Sequence, residues 1–274
     1  MSPSEPARVP CYVCGATAHA PWGTENGHYA VRCKDCGLVY VSPRPTLASI
    51  SRAAQTGLHG GEQNLEVTGS YGGAKRHAHY LSRLADLFGA GYFHGSGERW
   101  LDVGAGFGEL LETLAIASGG TLRTRGLEPN EAKAASARAR HLDVSFTELS
   151  ALGERFHYLS LLNVFSHLPD PPATLMELAT VLEPGGELVL QTGNFAELER
   201  NEIPVPLELP DHLSFANERL LRRVLDKSGF TLVSIRSYPM YAAPRKRGVL
   251  RRKSATAPER QPMDLWLRAR RTRG

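Results

Sequence analysis

The four cysteines of this 274-residue chain, Cys11, Cys14, Cys33 and Cys36, stand in two C-x2-C pairs with 18 residues between them. Four thiolates at that spacing suit a tetrahedral Zn2+ site, and Gly15 and Gly37 follow each pair where the chain must turn. The competing reading is two disulfides, which an intracellular chain with no odd cysteine disfavours. Four protein ligands leave no open coordination position, so the expected metal is structural. A second group is Asp102-Val-Gly104-Ala-Gly106-Phe-Gly108. Its glycines let the backbone approach a ligand, and Glu128 lies further on, where an acid at a strand end can accept hydrogen bonds from both hydroxyls of a ribose. A third group is histidine with carboxylate: Asp211-His212, with His167 as a second imidazole. An imidazole beside an acid can take a proton near neutral pH.

The glycine group needs a strand before it and a helix after it. Trp100, Leu101 and Val103 form a short apolar run of β propensity, and from Glu109 the spacing of Leu110, Leu111, Leu114 and Ala115 becomes helical. The helix start offers free N–H groups to an anionic group. The dinucleotide fingerprint G-x-G-x-x-G fails here, because its third glycine would fall on Glu109. The pattern D-x-G-x-G-x-G instead resembles motif I of the class I S-adenosylmethionine (SAM) methyltransferases. Two further stretches resemble that family: Leu182-Glu-Pro-Gly-Gly-Glu-Leu188, and Val164-Phe-Ser-His-Leu-Pro-Asp-Pro171, where Ser166 replaces the family's usual Glu. The cysteine pairs together with Tyr29–Pro45 are similar to the N-terminal zinc ribbon fused to many small bacterial sugar and secondary-metabolite methyltransferases. Asp211-His-Leu-Ser-Phe resembles the Glu-His-x-Ser-Tyr-Phe-Ser stretch of deoxysugar C-methyltransferases, and also a Pro-x-His-x-x-x-Phe pattern of small O-methyltransferases.

The resemblance implies a Rossmann-like α/β fold with a seven-stranded sheet in the order 3-2-1-4-5-7-6, strand seven antiparallel. It implies SAM as cofactor, held by Asp102, Gly104, Gly106, Gly108 and Glu128, with Phe146 stacking on adenine and Asn163 at the end of strand four. Tyr71, in a segment that caps the SAM site in this family, and Asn194, at the end of strand five, are the expected substrate contacts. His212 is the expected general base, Asp211 its orienting partner and His167 a secondary candidate.

Three regions follow: a zinc ribbon at 1–45, a lid segment and first helix at 46–98, and the SAM domain at 99–274. The Gly-rich stretch 56–73 reads as a connector, followed by a helix over 74–88 with His77, Leu81, Leu84 and Phe88 on one face. Within the SAM domain the spacing predicts strands at 142–146, 156–163, 187–192, 231–238 and 264–270, and helices at 130–140, 172–183 and 217–228. Pro184-Gly185-Gly186 reads as a turn, and 195–216, with three prolines, as a long insert of functional character.

Charge is unevenly spread. From Arg245 to Gly274 there are 11 Lys/Arg against 2 Asp/Glu, while the rest carries 21 against 26, so the net +4 is a C-terminal feature. No apolar run approaches the ~20 residues of a membrane span, and Met1–Pro10 has no apolar core, so a cytoplasmic location is expected. The leading reading is transfer of a methyl group to oxygen or carbon of a sugar or secondary metabolite. Two readings compete. One is an RNA methyltransferase gripping RNA with the ribbon and the basic linker at Arg245-Lys-Arg and Arg251-Arg-Lys. The other is a non-catalytic zinc-ribbon interaction protein. The Asp/Asn-Pro-Pro-aromatic signature of amino-base methylation is absent after strand four, which disfavours nucleic acid.

Overall fold

The computed structural model of the chain describes residues 6–203, 206–239 and 262–272. The basic linker, with Arg245-Lys246-Arg247 and Arg251-Arg252-Lys253, lies outside the described residues. Among those described, no helix is long and apolar enough to cross a membrane.

The N-terminal part holds β1 (His19–Glu25), β2 (His28–Cys33) and β3 (Val39–Val41), then α1 (Leu47–Thr56), a small hairpin of β4 (Leu58–His59) and β5 (Leu65–Glu66), and α2 (Gly73–Phe88). The hairpin lies where the glycine content suggested a mere connector, and α1 precedes it in a stretch for which the sequence suggested no element. Helix α1 is bounded by local chemistry: the Thr46 hydroxyl accepts from the Ser49 N–H at 3.1 Å, and Gly57 closes it in the left-handed conformation at φ 75°.

The C-terminal part alternates strand and helix: β6 (Arg99–Val103), α3 (Glu109–Ser118), β7 (Arg123–Leu127), α4 (Glu131–Arg138), β8 (Val144–Ser145), β9 (Phe156–Leu162), α5 (Pro171–Thr180), β10 (Leu182–Gly193), β11 (Ser214–Phe215), α6 (Glu218–Lys227), β12 (Phe230–Pro239) and β13 (Pro262–Arg271). The sheet order is β12-β13-β10-β9-β6-β7-β8, with β13 antiparallel to both neighbours and the others parallel. Counted along the chain within this sheet alone, that is 3-2-1-4-5-7-6. The middle strands are near-continuous apolar runs because helices cover both faces, and Trp100, Leu101, Leu159, Leu161, Leu188 and Leu190 are wholly buried.

Three sequence expectations shift. The strand expected at 142–146 ladders only at Val144–Ser145, opposite Gly126 and Leu127. Pro184-Gly185-Gly186 is no turn between elements but a bulge inside β10. Leu182 faces Phe156 and Glu187 faces Tyr158, so the extra residues loop out between them, with Gly185 at φ 78°. The insert is not structureless. It carries a 3-10 turn at Arg200–Glu202, and its last residues form β11, which pairs with Tyr40 and Val39 of β3.

That pairing makes the ribbon sheet four-stranded, β1-β2-β3-β11. The ribbon face bearing Trp22, Val39 and Val41 packs on Ile203, Leu207, Leu209 and Phe215 of the insert. Its other side joins the main core, where Val13, Leu38 and Tyr40 share a cluster with Leu220, Val224 and Leu225 of α6. The ribbon and the C-terminal insert are therefore one packing unit, joined by burial of apolar surface from both.

Candidate functional site

The glycine turn sits at the carboxyl end of β6, beside those of β7 and β9. Gly104, Gly106 and Gly108 have φ of 75°, 56° and 84°, a region costly for other residues. Gly104 and Gly108 are also packed tight: a Cβ would come within 2.4 Å of Val164 on one and of Leu142 on the other. Gly106 differs, because a Cβ there would meet nothing within 4 Å. Open space in front of a loop N-terminal to a helix is where a ligand's small groups can approach backbone.

Glu128 is the acid of this loop. Its Oε2 accepts the Gly106 N–H at 2.7 Å and its Oε1 the Asn130 N–H at 2.9 Å. Burial pushes its carboxyl upward, while those two backbone donors pull the other way. Each oxygen keeps a second lone pair for a ligand hydroxyl. Asp102 has a different place. It is 3% exposed, and its Oδ1 accepts the Ser160 hydroxyl at 2.5 Å, which in turn accepts the Trp100 Nε1–H at 2.8 Å. Burial pushes Asp102 up to about 7. It braces β6 against β9 beneath the loop. Phe146, just past β8, is 64% exposed. Asn163, just past β9, has φ 58° and donates its N–H to the Gln191 carbonyl at 3.1 Å.

The segment before α2 is tied to α3 through two acids. The Tyr71 hydroxyl donates to Glu112 Oε2 at 2.9 Å, His77 Nε2 meets the same oxygen at 2.9 Å, and Arg140 Nε donates to Glu112 Oε1 at 2.9 Å. The Gly72 N–H donates to Glu109 at 2.8 Å, and the Arg140 guanidinium lies 4.2 Å over the Tyr71 ring. Although burial works against it, these donors hold Glu112 below the usual carboxylate range. Tyr71 is thus bound to the helix behind the glycine loop. Glu112, the hub of this latch, carried no signal in the sequence beyond a charge on a helix.

The third group gathers on a cleft of about 50 Å3 whose lining includes Ile50, Ala53 and Ala54 of α1, and His59, His167 and Asp211. His167 sits on a 3-10 turn, Phe165–His167, after β9, and Asp211 at the end of the insert. His167 Nδ1 lies 3.1 Å from Asp211 Oδ1 and 2.9 Å from the Asp211 carbonyl oxygen. Two acceptors on Nδ1 assign it the proton in the neutral ring, and the Asn163 carbonyl is a further backbone acceptor for the ring. Burial alone would lower His167; the bonds and charge of Asp211 outweigh it, and the net direction is upward. Asp211 is held far below the usual carboxylate range despite its burial, by bonds from His167 and His59. His59 Nε2 is 3.0 Å from the same Oδ1. The sequence reading missed His59, because it stands in a Gly-rich stretch with no periodicity.

Asp211 therefore pairs with His167 and His59, and not with its chain neighbour. His212 turns its Nδ1 to the Leu207 carbonyl at 2.8 Å and stacks on His167, ring centroids 4.6 Å apart. Burial, and then the His167 charge, push His212 down to about 4. Asn194 lies where β10 meets the insert; its N–H donates to the Met263 carbonyl at 2.9 Å, and it bridges to Ala216.

In the ribbon, the four sulfurs lie within 4.8 Å of one another, with Cys11–Cys36 at 3.4 Å and Cys14–Cys33 at 3.5 Å. None of the four is in a disulfide. Zn–S bonds of ~2.3 Å in a tetrahedron place sulfurs about 3.8 Å apart, so the donor set fits zinc in number, chemistry and spacing. Gly15 and Gly37, at φ 78° and 82°, donate N–H bonds back to the Cys11 and Cys33 carbonyls. Burial pushes the Cys11 and Cys36 thiols up, a bias that a dication between them would reverse.

Comparison with known proteins bears on the catalytic half. The chain is 29% identical over 109 residues to a ubiquinone biosynthesis O-methyltransferase of Pseudomonas putida (strain W619), an alignment covering 36% of this chain and 46% of that one. The homologue of Pseudomonas entomophila (strain L48) is 30% identical over the same length. The chain thus spans about half the length of the curated relatives it matches. Among solved structures, the [4+2]-cyclase SpnF superposes with a TM-score of 0.52 at 19% identity, over 72% of this chain and 82% of that one. A putative sarcosine dimethylglycine methyltransferase from Galdieria sulphuraria gives 0.52 at 15% identity, over 72% and 86%. At these identities the likeness shows the shared fold. The family model described as a methyltransferase domain matches residues 73–235, more than half of the chain, from the latch helix α2 to the middle of β12, and the chain belongs to that family.

Proposed function

We propose that this chain is a SAM-dependent methyltransferase acting on a hydroxyl oxygen of a small molecule, with His167 as the general base, Asp211 as its orienting acid and the ribbon as a structural zinc site. The observation that carries the reading is the glycine loop. Gly106 faces open space while Glu128, anchored by two backbone N–H groups, keeps lone pairs for a ribose diol. SpnF, a cyclase, has the same fold, so fold alone does not establish methyl transfer and the site residues must.

SAM, when bound, supplies a sulfonium methyl group open to in-line displacement. The loop at 104–108 and Glu128 would hold its amino-acid and ribose ends, and exposed Phe146 would cover adenine. The chain's own chemical work is then positional. The cleft holds the acceptor beside His167 and away from water, worth more than any single contact in a transfer of this kind. His167 takes the hydroxyl proton on Nε2 as the oxygen gains the methyl group. Asp211 keeps the other nitrogen protonated and stabilises the imidazolium formed. His212, turned to Leu207 and disfavoured as a cation, serves as the neutral ring against which His167 stacks. Oxygen is favoured over carbon as acceptor because the curated relatives are O-methyltransferases.

The test has two parts. Calorimetric titration of S-adenosylhomocysteine into the full, zinc-loaded chain is expected to give micromolar binding that Glu128→Ala abolishes. A screen of phenols, sugars and other hydroxyl compounds for methyl transfer is then expected to yield a substrate on which His167→Ala loses about 10²–10⁴-fold in kcat. Absence of S-adenosylhomocysteine binding in folded, zinc-loaded protein would overturn the assignment.

A further inference from the structure

His59 is remote in the chain from His167 and Asp211, and its hairpin is held by the ribbon. The loop joining β4 and β5 sits on the β1–β2 turn: the Glu62 N–H donates to the Asn26 carbonyl at 3.1 Å and the Gln63 N–H to Asn26 Oδ1 at 2.7 Å. His28 Nε2 lies 2.8 Å from the Gly60 carbonyl. The fit is close on both sides. A Cβ on Gly61 would fall 2.4 Å from Asn26, and one on Gly27 would fall 2.7 Å from Glu62. Seated this way, the hairpin delivers His59 Nε2 to 3.0 Å from Asp211 Oδ1, the oxygen that also accepts from His167.

We propose that His59 is a positioning residue for the base: by donating to the Asp211 oxygen that His167 shares, it fixes the carboxylate's orientation and limits how strongly that carboxylate raises the basicity of His167. This rests on the assignment of His167 as base. The physical ground is competition. A carboxylate oxygen that already accepts one N–H offers less negative charge to a second. Removal of His59 leaves Asp211 wholly to His167, so His167 holds its proton more tightly and is a poorer base at neutral pH. The other charged or titratable groups around the pair are His212, stacked on His167, and Glu208 and Glu25, whose charges bear on the pair through Asp211 and His212. The side chains lining the cleft from α1 carry no charge: Ser49, Ile50, Ala53 and Ala54. The arrangement also gives the ribbon a task in the reaction. The turn at Asn26–Gly27 sets the hairpin, and the hairpin sets the base.

The experiment follows histidine titrations by nitrogen-detected NMR in the full, zinc-loaded chain, with S-adenosylhomocysteine as the only added ligand. His59→Ala and His59→Phe are expected to move the His167 midpoint to higher pH. His59→Gln, which keeps an N–H donor, is expected to leave it near that of the parent. Asp211→Asn is expected to move the His167 midpoint to lower pH, and it reports on the pair should both donor-free variants fail to fold. Once an acceptor is known, His59→Ala is expected to lose about 3–10-fold in kcat/KM on the acid side and to recover toward the parent value at alkaline pH. A structural role alone would lower the rate equally at all pH values. An unmoved His167 midpoint in a folded donor-free variant, or in folded Asp211→Asn, overturns the inference. Binding of S-adenosylhomocysteine is scored separately in the same samples, so failure of the methyltransferase reading is distinct from failure of this one.

Discussion

Glu128 offers the sharpest perturbation, because both of its oxygens accept a backbone N–H and both offer a second lone pair to a ribose diol. Alanine deletes the acceptors of the Gly106 and Asn130 N–H groups and the lone pairs reserved for a ribose diol. Hydrogen bonds to a charged group contribute about 1.5–3 kcal/mol each. Two lost bonds to a ribose therefore come to about 3 kcal/mol at the low end, or roughly 10²-fold in affinity at 1.4 kcal/mol per tenfold. Glutamine is the discriminating variant. It has one carbonyl oxygen for two N–H donors, and its amide N–H2 must face one of them. That clash leaves a buried donor unsatisfied, at about 1–3 kcal/mol, so glutamine is expected to resemble alanine more than glutamate. Calorimetry with S-adenosylhomocysteine reads the affinity, and a thermal melt of each variant shows that it is folded. A folded Glu128→Ala protein that binds within threefold of the parent would refute the placement of the nucleoside at this acid.

Three further outcomes follow from buried groups. Asp102 is raised by burial from its usual value of 3.8 to about 7, so between those values the folded chain holds a proton that the unfolded chain releases, and stability should fall as pH rises from about 4 to 7. Asp102→Asn should flatten that slope, by up to about 1.4 kcal/mol per pH unit in urea melts; an unchanged slope would assign it to other groups. Glu187 is 5% exposed and accepts from Arg268 at 2.6 Å and Arg270 at 2.7 Å, so Glu187→Ala strands a guanidinium on β13 and should cost about 3–5 kcal/mol in the same assay, with a loss under 1 kcal/mol contradicting the pairing. Removing the metal from the cysteine cluster should raise amide exchange in β3 and β11 together while β6 and β7 stay protected, because β11 is a strand of the ribbon sheet; exchange confined to β3 would mean that the ribbon opens alone.

The parts of this structure legible in the sequence are those set by near neighbours. The glycine turn, the cysteine knuckles and the alternation of apolar strands with helices all follow from spacings of a few residues, where backbone freedom and burial act locally. The parts that were not legible depend on long-range contacts. A two-residue strand such as β11 has too little pattern to announce itself, and pairing with β3 alone makes it a strand. Helix α1 was hidden by the glycines that follow it. Glu112 and His59 looked like ordinary polar residues of a helix and a loop, and their partners Tyr71, Arg140 and Asp211 are distant in the chain. The basic linker, and with it the expected nucleic-acid grip, lies outside the described residues.

The acid–histidine pair shows why chain adjacency misled. Consecutive acid and imidazole need not pair: Asp211 and His212 reach the same cluster with His167, their polar atoms within 4.8 Å of one another, but their hydrogen bonds go to different partners. The backbone N–H groups of both turn back on the Glu208 carbonyl, at 2.8 and 3.3 Å, and the side chains then go to opposite tasks. Asp211 meets His167, and His212 closes onto Leu207. Two stacked imidazoles cannot both be charged cheaply, so the environment separates them: the acid raises His167, while burial and the His167 charge push His212 to about 4. Above pH 5, His212 is therefore neutral, and proton uptake on this stack belongs to His167 alone. It follows that His212→Phe, which keeps the stacking surface, should leave the acid limb of kcat/KM within the range set by small changes in packing. Its loss in rate should be modest and independent of pH. His167→Phe should instead abolish the limb together with the activity. The opposite result, a lost limb in His212→Phe and a retained one in His167→Phe, would return the role of base to the residue that the sequence motif favoured.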